Sequence, residues 1–274
     1  MTEKLPFELV IIIGAARSGT NILRDVVCSF DDFGTWPCDE INPIWRYGNL
    51  GWPNDALPRA LATKPVRDYI RRSFLREWRR QGCPKFLIEK TCANCLRVEF
   101  VRAVFPEARF IHLQRNGADV TRSAMKRWSG EFELRKWSYL LAKLRFVPLS
   151  SLPFFGMRFL SRRLGRKAHF DQWGPVVEWM PSDGPLDWIC ARQWASCAYR
   201  AARALDRLPM DRVHHLSYEV FVERPFSCLQ DLFSFLDHPV SERALWQAIG
   251  MIRRPEKTAQ QKSNIEISGE LRTT

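Results

Sequence analysis

Five consecutive apolar residues, Leu9-Val10-Ile11-Ile12-Ile13, run into Gly14-Ala15-Ala16-Arg17-Ser18-Gly19-Thr20-Asn21, and this junction constrains the fold more than any other stretch of the 274-residue chain. A β-branched run without polar alternation reads as a strand buried on both faces, the environment of a parallel sheet. Beyond the loop, Ile22, Leu23, Val26, Val27 and Phe30 recur at three-to-four spacing, so a helix follows. A glycine-bounded turn between such a strand and a helix start is where a parallel sheet receives an anion, because turn and first-turn amides all face it. The glycine spacing fits a nucleotide-triphosphate P-loop, with Thr20 directly after Gly19. The lysine expected between those two is missing, and Arg17 supplies a cation earlier in the loop. Later strands end in Glu89-Lys90 and in Leu113-Gln114-Arg115, neither of which offers an aspartate for Mg²⁺. The loop therefore suits an anion handled without a metal.

The rest of the chain repeats the strand–helix alternation. Helices are predicted over 66–80, 94–104, 118–128, 190–207, 219–237 and 241–250. Strands are predicted at Phe86–Ile88, Arg109–Leu113 and Val213–Ser217. Alternation of this kind specifies a three-layer α/β domain with a mainly parallel central sheet. Residues 130–189 break the rhythm with Pro148, Pro153, Pro175, Pro181 and Pro185 among Trp, Phe and basic residues. They are expected as a helical and loop insertion over one end of the sheet, within a single domain spanning 1–274.

Charge sharpens the picture. The chain has 42 basic and 30 acidic residues, a net charge of +12. Segment 59–80 holds eight basic and two acidic residues (+6), and segment 135–167 holds nine basic and none acidic (+9), which leaves −3 for everything else. Two local patches, rather than a uniformly basic protein, attract phosphate, sulfate, nucleic acid or an anionic membrane surface. The apolar run 9–13 is too short for a signal segment or a membrane span, so a cytoplasmic protein with reduced thiols is expected. Cys92-Ala93-Asn94-Cys95 is a lone C-x-x-C without a second pair, expected as small buried residues and not as a zinc site. A second anion site is suggested where Arg115 closes a strand and Ser123 follows in the next helix. The arginine gives a charged fork and the serine a hydroxyl donor.

Two anion sites at successive βα turns, Ala16-Arg17-Ser18-Gly19-Thr20 and Arg115…Ser123, resemble the sulfotransferases that use 3′-phosphoadenosine 5′-phosphosulfate (PAPS). Between them, Ile88-Glu89-Lys90-Thr91-Cys92-Ala93-Asn94 and Phe105-Pro106-Glu107-Ala108-Arg109-Phe110-Ile111-His112-Leu113-Gln114-Arg115 are similar to that family's core, especially in bacterial and tyrosylprotein-type members. Val213 to Val222, with Tyr218-Glu219, resembles a later element. The resemblance implies the P-loop-like sulfotransferase fold, PAPS as co-substrate and no metal. It implies that Arg17, Ser18, Gly19, Thr20 and Asn21 hold the 5′-phosphosulfate, with Arg17 at the transferring group. Arg115 and Ser123 would then hold the 3′-phosphate, with Tyr218 close to the nucleotide and Lys90 beside the sulfuryl group or the acceptor. Lys262 and Ser263, with Lys257, are the candidates for a late loop closing over the nucleotide. Cys92 stands where the family often has proline, Asn116 where it has aspartate, and Ala118 in place of a second arginine.

For the base that takes the acceptor's proton, the resemblance to tyrosylprotein-type members favours Glu40 over Asp39 in Cys38-Asp39-Glu40-Ile41-Asn42-Pro43, with Glu89 as the rival. None of the five histidines falls where members with a histidine base carry it, and His112 is expected in the core. Trp36, Trp45 and Trp52 flank Glu40 and either stack on an acceptor or pack. The basic, aromatic segment 137–164 suits either peripheral contact with an anionic membrane or a lid over the acceptor. The acceptor expected is a hydroxyl of a carbohydrate, glycolipid or other small molecule. A P-loop kinase lacks its lysine here. A nucleic-acid-binding protein or a non-catalytic nucleotide binder leaves part of the pattern unexplained.

Overall fold

The computed structural model describes residues 4–129 and 184–252. Strands β1 (Glu8–Ile13), β2 (Phe33–Thr35), β3 (Phe86–Glu89), β4 (Arg109–Gln114) and β5 (Val213–Ser217) form one all-parallel sheet in the order β2-β3-β1-β4-β5. β1 is its centre: Ile11 lies opposite Glu89 on one side and Phe110 on the other. Leu9 to Ile13 are all buried, as an uninterrupted apolar run requires.

The pleat sorts these side chains between two cores. Leu9, Ile11 and Ile13 pack with α2 (Asn42–Trp45), α3 (Lys64–Arg80), α4 (Val98–Val104) and α6 (Leu186–Leu205). Val10 and Ile12 pack with α1 (Thr20–Val27), α7 (Tyr218–Glu223), α8 (Pro225–Phe235) and α9 (Glu242–Ile249). Each fully buried aliphatic side chain contributes about 1.5–3 kcal/mol, so the central strand anchors both layers at once. α5 (Gly117–Ser129) follows β4 and packs along α6. Among the described residues no helix is long and apolar enough to cross a membrane.

The chain leaves β1 for β2 and β3 on one side, then crosses to β4 on the other. The carboxyl end of β1 is therefore the topological switch point, where a parallel sheet opens a crevice.

Several elements differ from the sequence expectation. β2 was absent from it, because Phe33-Gly34-Thr35 is too short to show a period; its place is held by Phe33 stacked on Phe86 at 4.6 Å. The helix expected over 94–104 is a 3-10 helix (Cys92–Leu96) and α4, broken at Arg97, whose backbone leaves the helical region (φ −141°, ψ 33°) while its side chain is buried. The helix expected over 219–237 divides at Pro225, which has no N–H to continue the first helix and sits well at the start of the second. Helix α6 begins at Leu186, inside the segment expected as insertion; residues 130–183 of that segment lie outside the described residues.

His112 is a core residue, 2 % exposed, with its Nδ1 3.2 Å from Nδ1 of His215. Burial, and then the neighbouring His215, push its pKa down to about 4 from an ordinary 6.5. The unfolded chain therefore binds the extra proton first, and the stability from a neutral His112 is complete above pH 6.5 and lost as pH falls toward 4. In thermal melts the wild type is expected to lose more stability than His112→Gln across that window; equal pH slopes would contradict this.

Candidate functional site

The turn after β1 is shaped by two backbone features. Arg17 adopts a left-handed φ of 72° and Gly19 one of 92°. For a non-glycine residue that region costs about 1–2 kcal/mol, so Arg17 is held there by its surroundings. Arg115 Nη1 donates to the Arg17 carbonyl at 2.9 Å, and Arg17 Nε donates to Ser123 Oγ at 3.0 Å. A Cβ on Gly19 would lie 2.3 Å from the Tyr218 ring, so only glycine lets the ring approach. Gly19 caps α1 without a side-chain hydrogen bond, and the first turn of α1 holds no acidic residue. The leading amides of α1 therefore face outward with the positive end of the helix dipole.

The second turn meets the first. The Arg115 guanidinium lies 4.1 Å from the centre of the Tyr218 ring, and its Nε is buried without a hydrogen-bond partner in the described structure. Asn116 Oδ1 accepts the amides of Ala118 and Asp119 at 2.9 and 3.3 Å and so caps α5, a role open equally to the isosteric aspartate. Glu219 accepts from the Asn116 amide and from Ser217. Although burial opposes ionisation, these bonds and the charge of Arg115 hold its carboxyl below the usual range. Burial, followed by the charges of Arg127 and Arg115, lowers the pKa of Arg17. Arg17 and Arg115 thus share one place within reach of the charge of Arg127, and none of the three forms a salt bridge with a carboxylate among the described residues. A cavity of about 160 Å³ opens beside them, lined by Gly14, Ala15, Ser18, Arg115, Trp194 and Ala198 among others.

Across β1, Cys92 links this region to the end of β3. Its Sγ lies 3.8 Å from Thr20 Oγ1 and its thiol lies against the Glu40 carboxylate. Burial, then Glu40, pushes the thiol pKa up to about 12, so Cys92 is a neutral group within the influence of Glu40 and Lys90. Lys90 is buried at the strand end. Glu89 is 1 % exposed and accepts from Thr91 Oγ1, Trp45 Nε1 and Asn94 Nδ2, so it is occupied as a structural acceptor. Burial nevertheless pushes its pKa up to about 7. Asp39 pairs with Arg24 at 3.4 Å, whereas Glu40 points toward Cys92.

The structure brings together Arg17, Ser18, Gly19, Thr20, Arg115, Ser123 and Tyr218, and places Lys90 and Glu40 on the β3 side of Cys92. Asn21 is exposed in the first turn of α1. Lys257, Lys262 and Ser263 lie outside the described residues. Trp36 and Trp45 are buried edge-on against Phe74, which leaves Trp52 as the exposed one of the three. Arg127 was missed in the sequence, although it stands four residues after Ser123, on the same face of α5.

The family profile for the sulfotransferase family matches residues 9–148. No curated protein matches the chain. Among solved structures, the sulfotransferase domain of the curacin biosynthetic pathway aligns with a TM-score of 0.53 at 15% identity, over 90% of this chain and 78% of that one. The sulfotransferase domain of the Synechococcus PCC 7002 olefin synthase gives 0.52 at 16%, over 90% and 79%. A sulfotransferase from Mycobacterium avium gives 0.52 at 14%, over 92% and 70%. The sheet and its helices are the P-loop-like sulfotransferase fold.

Gly19→Ala is expected to lower folding stability by about 1–3 kcal/mol, from the left-handed φ and the displaced Tyr218 ring. The urea midpoint measures this, and an unchanged midpoint would contradict the packing described.

Proposed function

The chain belongs to the sulfotransferase family, and from that premise we propose that it transfers a sulfuryl group from PAPS to an acceptor hydroxyl, with Glu40 as base. The observation that carries this reading is that Arg17 and Arg115, neither in a salt bridge with a carboxylate among the described residues, stand at an uncapped helix start with the charge of Arg127 acting on Arg17. The orphaned Arg115 Nε and the outward amides of α1 fit a ligand with two separated phosphate groups. PAPS supplies the sulfuryl group and the adenosine bisphosphate that leaves.

In this reading Ser18, Gly19, Thr20 and Asn21 bind the 5′ end, and Arg17 lies at the transferring group. Arg115, Ser123 and Arg127 bind the 3′-phosphate, with Tyr218 against the nucleoside. Glu40 accepts the acceptor's proton as the new oxygen–sulfur bond forms. The electron pair of the breaking bond passes to the leaving phosphate oxygen, whose charge Arg17 and Lys90 stabilise. The analogy with phosphoryl transfer assigns most of the catalysis to such positioning and electrostatics. For the acceptor, Arg72, Arg76 and Arg79 on the solvent side of α3 support a polyanionic or membrane-borne hydroxyl compound, with peripheral contact at an anionic surface.

Radiolabelled PAPS offered with a panel of sugars, glycolipids, phenols and tyrosyl peptides tests the reaction, and no transfer to any of them would overturn it. Glu40→Gln is expected to lower kcat by about 100-fold or more while calorimetry shows unchanged affinity for 3′,5′-adenosine bisphosphate (PAP). Normal turnover by this variant would remove Glu40 as the base.

A further inference from the structure

The segment Glu89-Lys90-Thr91 is wrapped in more buried hydrogen bonding than the end of a strand requires. Thr91 is fully buried. Its hydroxyl donates to Glu89 Oε1 at 2.5 Å and accepts the Ile41 amide at 3.1 Å. The directions are fixed, because a backbone N–H only donates and the hydroxyl has a single proton for the carboxylate. Ile41 follows Glu40 in the chain, and Glu89 and Thr91 bracket Lys90. One hydroxyl thus ties the peptide beside the base to the strand end that carries the cation.

The tie is anchored on both sides. Glu89 also accepts from Trp45 Nε1 at 3.2 Å and from Asn94 Nδ2 at 2.9 Å. Arg97 Nε donates to Asn94 Oδ1 at 2.8 Å, and its Nη2 donates to Asn42 Oδ1 at 2.6 Å, which closes a ring back onto the Glu40 loop. Asn42 in turn donates to Asp55, which pairs with Arg46 at 3.0 Å. Arg97 Nη1 and Arg46 Nε are left without a hydrogen-bond partner, but the bonds that are made couple the Glu40 loop to the strand end.

Resting on the assignment of Glu40 as base and Lys90 as cation, we propose that Thr91 is a positioning residue for sulfuryl transfer: its hydroxyl sets the Glu40 loop against Lys90. It touches neither substrate. Its loss misplaces the base and leaves the nucleotide loop, on the far side of Cys92, intact.

Thr91→Val keeps the shape and removes the hydroxyl, and Thr91→Ser restores it. With radiolabelled PAPS and the acceptor of highest turnover in the panel above, rates are taken per PAP-binding site, so that unfolded protein does not count. Thr91→Val is expected to lower kcat by about 10–100-fold, with KM for PAPS and PAP affinity unchanged, and Thr91→Ser to recover most of the loss. Wild-type kcat in Thr91→Val, or a parallel loss of PAP affinity, overturns the positioning role while an inactive Glu40→Gln leaves the base standing. Turnover by Glu40→Gln, or no transfer by the wild type, overturns the base assignment and this proposal with it.

Discussion

Arg17 and Arg115 stand together at the carboxyl ends of β1 and β4, with Arg127 farther along α5 adding its charge, although like charges repel, and the surrounding structure is arranged to hold them there. In a half-buried setting such repulsion is on the order of one to a few kcal/mol per close pair. Arg115 is retained by the face of Tyr218 and by its bond to the Arg17 carbonyl, which only the left-handed backbone at Arg17 presents to it. Arg17 in turn rests on Ser123. These contacts need β1, β4 and β5 in register, so the apolar run at Leu9–Ile13 and the electrostatics of the site are one constraint. An anion with two charged groups would relieve the repulsion, which is the physical ground of the proposed metal-free binding.

How much of this was legible in the sequence depends on how far each signal extends along the chain. β1 and β3 were readable because burial on both faces leaves continuous apolar runs, and the turn after β1 because glycine and a cation fall between strand and helix. β2 was not, since its three residues are held by stacking of Phe33 on Phe86, a contact between distant positions. The break at Arg97 was hidden for the same reason: a buried arginine bonded to Asn42 and Asn94 overrides a helical period that continues through it. Arg115, Ser123 and Tyr218 were located by motif. Arg127 was equally available from helical spacing, whereas the place of Cys92 between Thr20 and Glu40 exists only in three dimensions.

The net charge of +12 also changes meaning once the side chains are placed. Arg71 in the 59–80 patch is buried under Phe105 and paired with Glu107 at 2.7 Å, and Lys64 and Arg80 face Asp68 and Glu77. What α3 presents to solvent is a narrower stripe around Arg72, Arg76 and Arg79. Arg46 and Arg97 are structural as well, inside the network that fixes the Glu40 loop. In the proposed function the nucleotide needs only a few placed cations, and the stripe on α3 is left for the acceptor.

The central claim is that two separated phosphate groups, held by arginines and backbone amides without a metal, are what this site recognises. Calorimetric titration of the full chain in EDTA, with PAP against adenosine 5′-monophosphate, tests it most directly. PAP is expected to bind without Mg²⁺ and about 10–100-fold more tightly than the monophosphate, the worth of one or two charge-assisted hydrogen bonds to the 3′-phosphate. Equal affinity for the two nucleotides, or binding that appears only when Mg²⁺ is added, would contradict the account.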